Sequence, residues 1–498
     1  MCAFGSAGGS LGAQGKLLSG TMLRGVRVRV VGGSSVRLMR GVRTYFSAIA
    51  GVAVAVAGMA CGQAKADTLE WALVQAYQNN PSLNAQRAAL RATDENVPQA
   101  LSGYRPKLSI TTNGGAEYQK TVSPILGGAQ IFYPTIIGAN ATYTLYNGLQ
   151  TANRTRQAES QVMGARETLR VTEQQVLLDA ATAYMNLLRD AAILDLNRRN
   201  VEVLTEQLKQ TRDRFNVGEV TRTDVAQAES RLAAGRSALL GAQSNYVTSQ
   251  ANYRRVIGVD PGHLAPGAPV DRLSPNTLAR AIIQGQQQSP SVLAAMYGVD
   301  IAELAVKISE GALYPNLSVT ASASQGWEPA AFTTRQSAAS VLGALTVPIY
   351  QGGGEYSTIR QSKETVGQQR LNVDVNRDQA RATVVQSWGQ LDAAKAQIEA
   401  TTAQVNAAEI ALNGVREEAR VGQRTTLDVL NAQQELVNAR VALVTAQHDR
   451  VVASYTLLAA VGGLSMPHLG LNVLIYDPQV HYQQIRDAWV GVRNPDGR

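Results

Sequence analysis

The sequence predicts a mostly helical fold that is internally duplicated, with long antiparallel helical hairpins and four amphipathic strands in each chain. Three observations support this prediction. Two stretches of the 498-residue chain match each other at a nearly constant offset, which is the signature of a repeated structural unit. Each copy contains segments that alternate between apolar and polar residues. Each copy also contains a helical pattern that is too long for a compact globular domain.

The internal repeat rests on matched residue pairs at two offsets. In the first block the pairs lie 209 positions apart: Thr68/Thr277, Leu69/Leu278, Pro81/Pro290, Pro106/Pro315 and Leu108/Leu317. In the second block they lie 204 positions apart: Tyr146/Tyr350, Gly148/Gly352, Val217/Val421, Gly218/Gly422, Asp224/Asp428 and Gly258/Gly462. We therefore predict one structural repeat at 67–258 and a second at 277–464. The linker 259–276 contains several prolines, which exclude one continuous helix.

Two strands are predicted in each copy, near 107–119 and 135–146 in the first and near 316–327 and 339–349 in the second. One face of the first strand collects its apolar and small residues, which are Leu108, Ile110, Thr112, Gly114, Ala116 and Tyr118. A period of two over ten or more residues is typical of a membrane strand with lipid on one face and water on the other. A half-buried sheet in a soluble sandwich is the alternative interpretation.

A very long helical pattern follows each strand pair. In the first copy it runs from about 149 to 213 without a proline, and its single glycine is Gly164. At 1.5 Å per residue this helix is roughly 95 Å long. Its apolar residues keep a heptad spacing typical of helices packed side by side: Val162, Leu169 and Val176. We expect antiparallel partner helices to return from turns at Gly218 and Gly422.

The net charge of +8 comes entirely from the first 66 residues. That segment contains eight basic residues and no acid, against 46 basic and 38 acidic residues in the whole chain. The remainder is neutral, so the basic footprint of a nucleic-acid-binding protein is absent. No nucleic-acid partner is expected.

Residues 1–66 are predicted to be a signal peptide or presequence. An apolar run from Ala48 to Ala60 is too short to span a membrane as a helix. It ends near Ala64-Lys65-Ala66, a small-x-small cleavage site before Asp67. Lipidation of Cys61 is the alternative, and the preceding Gly58-Met59 is a poor match to it.

No catalytic, cofactor-binding or metal site is expected. Both cysteines lie in the presequence, and the four histidines show no ligand spacing. The sequence contains no nucleophile elbow, phosphate loop or metal-binding motif. These observations argue against an enzyme.

Four strands cannot close a barrel, because closure without an exposed edge requires at least eight. The chain is therefore expected to form an oligomer, and three copies would supply twelve strands. The long hairpins would continue the tube away from the membrane. A mostly α fold of this kind, with β-strands in the membrane and helices in the aqueous space, is a tube that can act as a conduit.

These features resemble the TolC family of outer-membrane efflux and secretion channels over residues 67–465. The residues that carry the resemblance are the Tyr-x-Gly corners at Tyr146 and Tyr350 and the Val-Gly…Asp-Val tips at Val217 and Val421. The resemblance implies a homotrimer in the bacterial outer membrane, with a twelve-stranded β-barrel and an α-barrel that forms a large periplasmic part.

The same resemblance implies a passive channel for efflux or type I secretion, gated at its periplasmic end. Its partners would be outer-membrane lipid, a periplasmic adaptor (membrane fusion) protein and an inner-membrane transporter, either ABC or proton-driven. Two alternatives are a periplasmic adaptor and a structural coiled-coil protein of the envelope. Neither would require two strand pairs before the hairpins.

For the periplasmic entrance, the resemblance assigns roles to both hairpin tips. The position of Asp428 corresponds to an acidic ring that faces the pore. The position of Arg424 makes constraining bonds to the first tip, whose counterparts here are Thr223 and Asp224. The residues alone offer a simpler interpretation, because a carboxylate at a helix start stabilises the free N–H groups there.

Two positions depart from the family pattern at this entrance. Asn431 stands where the family often has a second acid, so we expect a less negative entrance. Ala419 stands where an aromatic residue helps to latch the closed state, so we expect a weaker latch.

The C-terminal tail, 465–498, lies outside the duplication. Its stretch from Tyr476 to Tyr482 and its Trp489 resemble the tails of family members that work in type I protein secretion. The alternative is a strap packed around the middle of the helical hairpins.

Overall fold

The structure is a computed structural model that describes residues 67–122, 127–330 and 333–495. The predicted signal peptide, with its cleavage site and Cys61, lies outside the described residues. Within those residues, no helix combines the length and the apolar character needed to cross a membrane.

Helices make up most of the described chain. The α-helices in chain order are α1 (Leu69–Asn79), α2 (Pro81–Asp94), α3 (Asn96–Leu101), α4 (Gln150–Asn216), α5 (Arg222–Ile257), α6 (Leu278–Gln288), α7 (Pro290–Gly311), α8 (Gly354–Arg420), α9 (Thr426–Ala460) and α10 (Pro478–Ile485). The strands are β1 (Lys107–Gly114), β2 (Glu117–Thr121), β3 (Gly128–Phe132), β4 (Thr135–Asn147), β5 (Asn316–Ala330) and β6 (Thr333–Thr346). Both halves thus run from short helices through strands to a 67-residue helix and a shorter antiparallel partner.

One antiparallel sheet has the strand order β1-β4-β5-β6. Cross-strand neighbours share a face, and neighbouring rows across this sheet differ in polarity. One row consists of Leu108, Ala141, Ala321 and Val341, and the next consists of Ser109, Asn140, Ser322 and Ser340. The sheet therefore has an apolar, alanine-rich face and a polar face. Strands β1 and β6 lie at its two edges.

The strand bounds differ from the sequence prediction in two places. The first predicted strand is interrupted, since β1 ends at Gly114 and the Gly115 N–H donates to the Pro134 carbonyl at 3.1 Å. Strand β2 then pairs with β3 as a separate ribbon. The last strand was predicted at 339–349. It begins at Thr333 because it pairs with β5 along its whole length, and it ends before Pro348, which has no N–H to donate.

The 67-residue helices α4 and α8 agree with the predicted helical pattern. At 1.5 Å per residue each is about 100 Å long. The heptad positions Val162, Leu169 and Val176 are buried, which confirms that they form a packing seam. The largest core cluster lies where both helix pairs meet the N-terminal helices, and it includes Tyr184, Tyr253, Val384, Leu391 and Leu457.

Tyr184 ties this core to the segment between the two halves. Its hydroxyl lies 2.7 Å from the Asp67 carbonyl oxygen and 2.5 Å from the Ala265 carbonyl oxygen, and its one proton is shared between these two acceptors. Burial raises the pKa of Tyr184 to about 12, so the hydroxyl remains a donor at any physiological pH. Nearby, Arg450 of α9 forms an ion pair with Asp271 and lowers the pKa of that carboxyl.

The two strand-to-helix corners contain glycines in the left-handed region, Gly148 (φ 63°) and Gly352 (φ 73°). Their surroundings differ. A Cβ added to Gly148 would lie 2.2 Å from the Gly311 carbonyl oxygen, whereas one added to Gly352 would meet nothing within 4 Å. The first corner is therefore packed against backbone and the second is open.

We predict that Gly148→Ala destabilises the protein much more than Gly352→Ala. Both variants incur the left-handed strain of about 1–2 kcal/mol. Gly148→Ala adds an overpacking cost of about 1–3 kcal/mol, because a backbone carbonyl has to move. Guanidinium unfolding of the detergent-purified protein, followed by circular dichroism, measures the difference. Equal losses of unfolding free energy in the two variants would show that the Gly148 corner is not more crowded than the Gly352 corner.

Candidate functional site

The two hairpin tips are built from the same turn. Gly218 and Gly422 adopt φ values of 83° and 79°, a region that glycine enters without a Cβ penalty. Their N–H groups donate to the carbonyls of Phe215 at 3.0 Å and Ala419 at 3.2 Å. These bonds close the ends of the long helices and reverse the chain within a few residues.

A capping box begins the returning helix at each tip. Asp224 Oδ2 accepts from the Thr221 backbone N–H at 2.9 Å and from its hydroxyl at 2.7 Å. Asp428 Oδ2 accepts from the equivalent groups of Thr425 at 3.0 and 2.9 Å. Thr221 and Thr425 are the N-cap residues, and each carboxylate completes the box from the third helical position. The carboxylates therefore stabilise the helix starts, as the simpler interpretation of the sequence proposed.

These hydrogen bonds lower the pKa of both carboxyls. For Asp224 the main cause is the Thr221 hydroxyl, and for Asp428 it is the Thr425 backbone N–H. Both side chains are only partly covered. Each tip therefore presents one carboxylate that is ionised at neutral pH and accessible to solvent.

Arg424 pairs within its own tip. Its Nε donates to Glu418 Oε2 at 2.9 Å, and Glu418, followed by Asp428, raises the pKa of Arg424. Among the described residues, its ion-pair partner is thus Glu418 rather than Thr223 or Asp224 of the first tip. Thr223 is exposed. The second tip combines two carboxylates with one guanidinium.

Asn431 joins the two hairpins of the chain. Its Oδ1 accepts a hydrogen bond from Arg231 Nη2 of α5 at 2.7 Å. The preceding residue, Leu430, is fully buried in a cluster that is otherwise formed by the first hairpin, with Leu204, Leu208, Ala228 and Leu232. Asn431 and Leu430 together therefore link the second hairpin to the first, Asn431 by a hydrogen bond and Leu430 by apolar packing.

Arg231, Leu430 and Glu418 are residues of the tips that the sequence patterns did not predict. Arg231 lies seven residues after Asp224, on the same helix face two turns further on, and that spacing could have pointed to it. The internal repeat could not have pointed to Arg231, because the equivalent residue in the second copy is Glu435. Contacts between the copies break the internal symmetry.

A groove of about 400 Å³ separates α4 from the end of the second hairpin. Its lining is largely polar and includes Glu206, Gln207, Arg214, Arg416 and Arg420. Ala419 also lines this groove, so the small side chain leaves open the space that a larger residue would fill. Alanine in place of an aromatic residue at position 419 therefore corresponds to open space in the groove.

The tips offer charges and packing surfaces rather than reactive groups. No cluster of histidine, cysteine or carboxylate side chains suited to a metal ion occurs in the described ranges. Two strand pairs and two hairpins, each built on a helix of about 100 Å, are the architecture of a transport duct subunit. The chain belongs to the outer membrane efflux protein family, whose model matches residues 72–259 and 282–463.

Similar proteins agree with this assignment. The outer membrane efflux protein BepC of Brucella suis biovar 1 (strain 1330) is 42% identical over 446 residues, which cover 88% of this chain and 94% of BepC. The outer membrane protein TolC of Escherichia coli (strain K12) is 26% identical over 428 residues, covering 82% and 85%. The fold also matches the Campylobacter jejuni CmeC outer membrane channel, with a TM-score of 0.72 at 16% identity and coverage of 84% and 89%.

Family membership confirms the TolC resemblance and places the chain in the outer membrane, with a large helical part in the periplasm. It also confirms that the chain is not an enzyme. The periplasmic adaptor and the structural coiled-coil protein are set aside as alternatives.

We predict that Thr425→Val raises the pKa of Asp428 towards the ordinary value of about 3.9, because the variant removes the hydroxyl donor. A carboxyl with a lowered folded pKa stabilises the fold above its unfolded pKa, and that contribution disappears as pH falls through the folded pKa. The variant should therefore lose helix-start stability at neutral pH.

A ¹³C titration of labelled aspartate carboxyls measures this shift. Asp224 provides the control in the same sample, since its own Thr221 cap is unchanged. A shift at both carboxyls, or at neither, would contradict the local origin of the lowered pKa.

Proposed function

We propose that the chain forms, as a homotrimer, the outer-membrane exit duct of an efflux or type I secretion system. The observation that carries this proposal is the four-stranded sheet with two open edges and an exposed apolar face. Leu108 and Ile110 on that face are 80% and 81% exposed. So much apolar surface is stable only when lipid or protein covers it.

Trimerisation would satisfy both edges at once. If β1 of each chain pairs with β6 of the next, three sheets give a twelve-stranded barrel without an unpaired edge. The apolar face then contacts lipid and the polar face lines water. A single chain leaves a full row of N–H and C=O groups unpaired on each edge.

The hairpins would continue this tube as a periplasmic α-barrel. Several large apolar side chains remain exposed on the long helices of the single chain: Leu240, Val247, Leu371, Val375 and Ile410. Such residues on otherwise polar helices indicate further helix packing. Neighbouring subunits of the trimer supply that packing in our proposal.

The duct would be passive, so its energy has to come from partners. We propose a periplasmic adaptor (membrane fusion) protein and an inner-membrane transporter, either ABC or proton-driven. Family membership and the name of BepC as an efflux protein support this arrangement. The resemblance of the tail to those of type I secretion members makes a secreted protein the second cargo class, beside small molecules.

Residues 1–66 are proposed to be removed as a signal peptide, leaving Asp67 as the first residue. The repeats 67–258 and 277–464 would then form the duct, joined by the linker 259–276. The tail 465–498 completes the chain. The recurrence of short helices, strands and a long helical pair in both halves supports the two repeats.

The periplasmic entrance is proposed to be the set of hairpin tips. Asp428 would form the acidic ring, and the closed state would require Arg424 to exchange Glu418 for Asp224 and Thr223 of the first tip. Asn431, held by Arg231, would leave the entrance with one acidic ring. The ionised, accessible carboxylate of Asp428 supports this role.

Asp428→Asn is predicted to abolish most cation selectivity and multivalent-cation block in planar-bilayer recordings. Three Asp428 carboxylates give about three negative charges at neutral pH, and charges in a narrow mouth attract cations strongly. Conversely, Asn431→Asp should strengthen the block by adding a second ring.

Thr425→Val is the matched control, because it removes a capping contact of Asp428 and keeps the Asp428 charge. It should leave selectivity close to that of the unmodified channel. Selectivity and block that survive Asp428→Asn would rule out the acidic ring. An equal effect of both variants would show that helix capping, and not pore charge, causes the change.

A further inference from the structure

The C-terminal tail runs along the first half of the chain. The backbone N–H of Tyr476 donates to the Tyr77 hydroxyl at 3.1 Å. The guanidinium of Arg87 lies over both rings, 4.4 Å from Tyr77 and 5.3 Å from Tyr476. These contacts fix the start of the tail on α1 and α2.

Further along, the tail is held by a buried polar pair. His481 Nδ1 lies 3.0 Å from Asp94 Oδ2, and Asp94 is fully buried at the end of α2. Tyr482 of α10 packs against the cluster that contains Val97 of α3, and α3 is the last α-helix before the first strand.

The tail reaches the base of the sheet. Arg105 Nη1 donates to the Ala488 carbonyl at 2.6 Å, and the Arg105 guanidinium lies 4.6 Å from the centre of the Trp489 ring. Arg105 is two residues before the start of β1 at Lys107. Trp489 is thus positioned beside the point where the chain enters the sheet.

The end of the tail is apolar and uncovered. Trp489 is 68% exposed and Val490 is 94% exposed, and Val492 is fully exposed. The exposed cations Lys107 and Arg493 lie at the start of β1 and in the tail end. Asp487 lies two residues before Trp489, and Asp496 and Arg498 follow in the sequence. An exposed aromatic residue with valines and cations has the composition of a segment that lies in a membrane interface.

Other exposed aromatic residues lie at the same level of the molecule. They flank the strand-to-helix junctions and are Tyr104, Tyr146, Tyr314 and Tyr350. Tyrosine and tryptophan are enriched where protein crosses the boundary between hydrocarbon and water. These tyrosines indicate that the base of the sheet, and with it Trp489, lies at this boundary.

We propose that the segment Trp489–Arg493 is an interfacial anchor that binds phospholipids in the periplasmic leaflet of the outer membrane. The proposal rests on the proposed membrane location of the sheet. The indole and valines lie among the upper acyl chains, and Arg105, Lys107 and Arg493 contact the phosphates. The anchor gives each protomer a lipid contact outside the strands.

Quenching of tryptophan fluorescence by brominated lipid tests this proposal. The chain has four tryptophans, and a variant that retains only Trp489 carries Trp71→Phe, Trp327→Phe and Trp388→Phe. It is reconstituted in phosphatidylethanolamine–phosphatidylglycerol vesicles with acyl chains brominated close to the headgroup. Trp489 should lose most of its fluorescence relative to the same vesicles without bromine.

Two further single-tryptophan proteins calibrate this result. One retains only Trp71, which is 37% exposed on α1, and it should remain unquenched. The other lacks all four native tryptophans and carries Val341→Trp on the apolar face of the sheet, and it should be quenched. If Trp489 is quenched and the tryptophan of Val341→Trp is not, the sheet does not lie in the membrane and the proposed function is contradicted. The contact of Trp489 with the vesicle would still stand.

The anchor itself is overturned if Val341→Trp is quenched and Trp489 is not. In that case iodide quenching of Trp489 would show contact with water, and protection from both quenchers would show coverage by a neighbouring subunit. A pair of charge substitutions gives a second readout. Val490→Asp should reduce the quenching of Trp489, whereas Leu474→Asp, at an equally exposed apolar position near the start of the tail, should not.

Discussion

Packing of two long helix pairs around a single large core is the constraint on which the rest of the structure depends. Each helix of about 100 Å has far more surface than it can bury against one partner. The largest buried cluster, which includes Tyr184 and Leu457, draws residues from both halves, from the N-terminal helices and from the residues that follow α9. This core fixes the register of the hairpins, and the smaller clusters near the tips follow from it.

Much of this fold could be predicted from local sequence patterns. Heptad spacing, period-two alternation and paired glycines are short-range signals. Heptad spacing and glycines specified long helices and turns whose bounds the structure reproduces within a few residues. Period-two alternation located the strands less exactly, since the last strand begins at Thr333 and not at 339. Gly115 and Pro134 show where such signals fail. The break between β1 and β2 depends on a hydrogen bond to a partner strand, which a single-strand pattern does not contain.

The candidate site was less predictable for a related reason. Thr425 and Asp428 are three residues apart, so their capping box could be inferred from spacing. Arg231 and Asn431 are 200 residues apart, and their contact exists only because the core has already aligned the two hairpins. The duplication gives no help, because a contact between copies need not have an equivalent in the repeat.

The core lies far from the hairpin tips, so a small rotation at the core moves the tips by a larger distance. Tyr184 lies about 48 Å from the end of α4 along the helix axis, so a tilt of about 5° at the core displaces the tip by about 4 Å. A tilt of one hairpin relative to the other by this amount would separate Arg231 Nη2 from Asn431 Oδ1, which lie 2.7 Å apart. A small angular change within the core would therefore be large enough at the tips to break a single hydrogen bond between the hairpins.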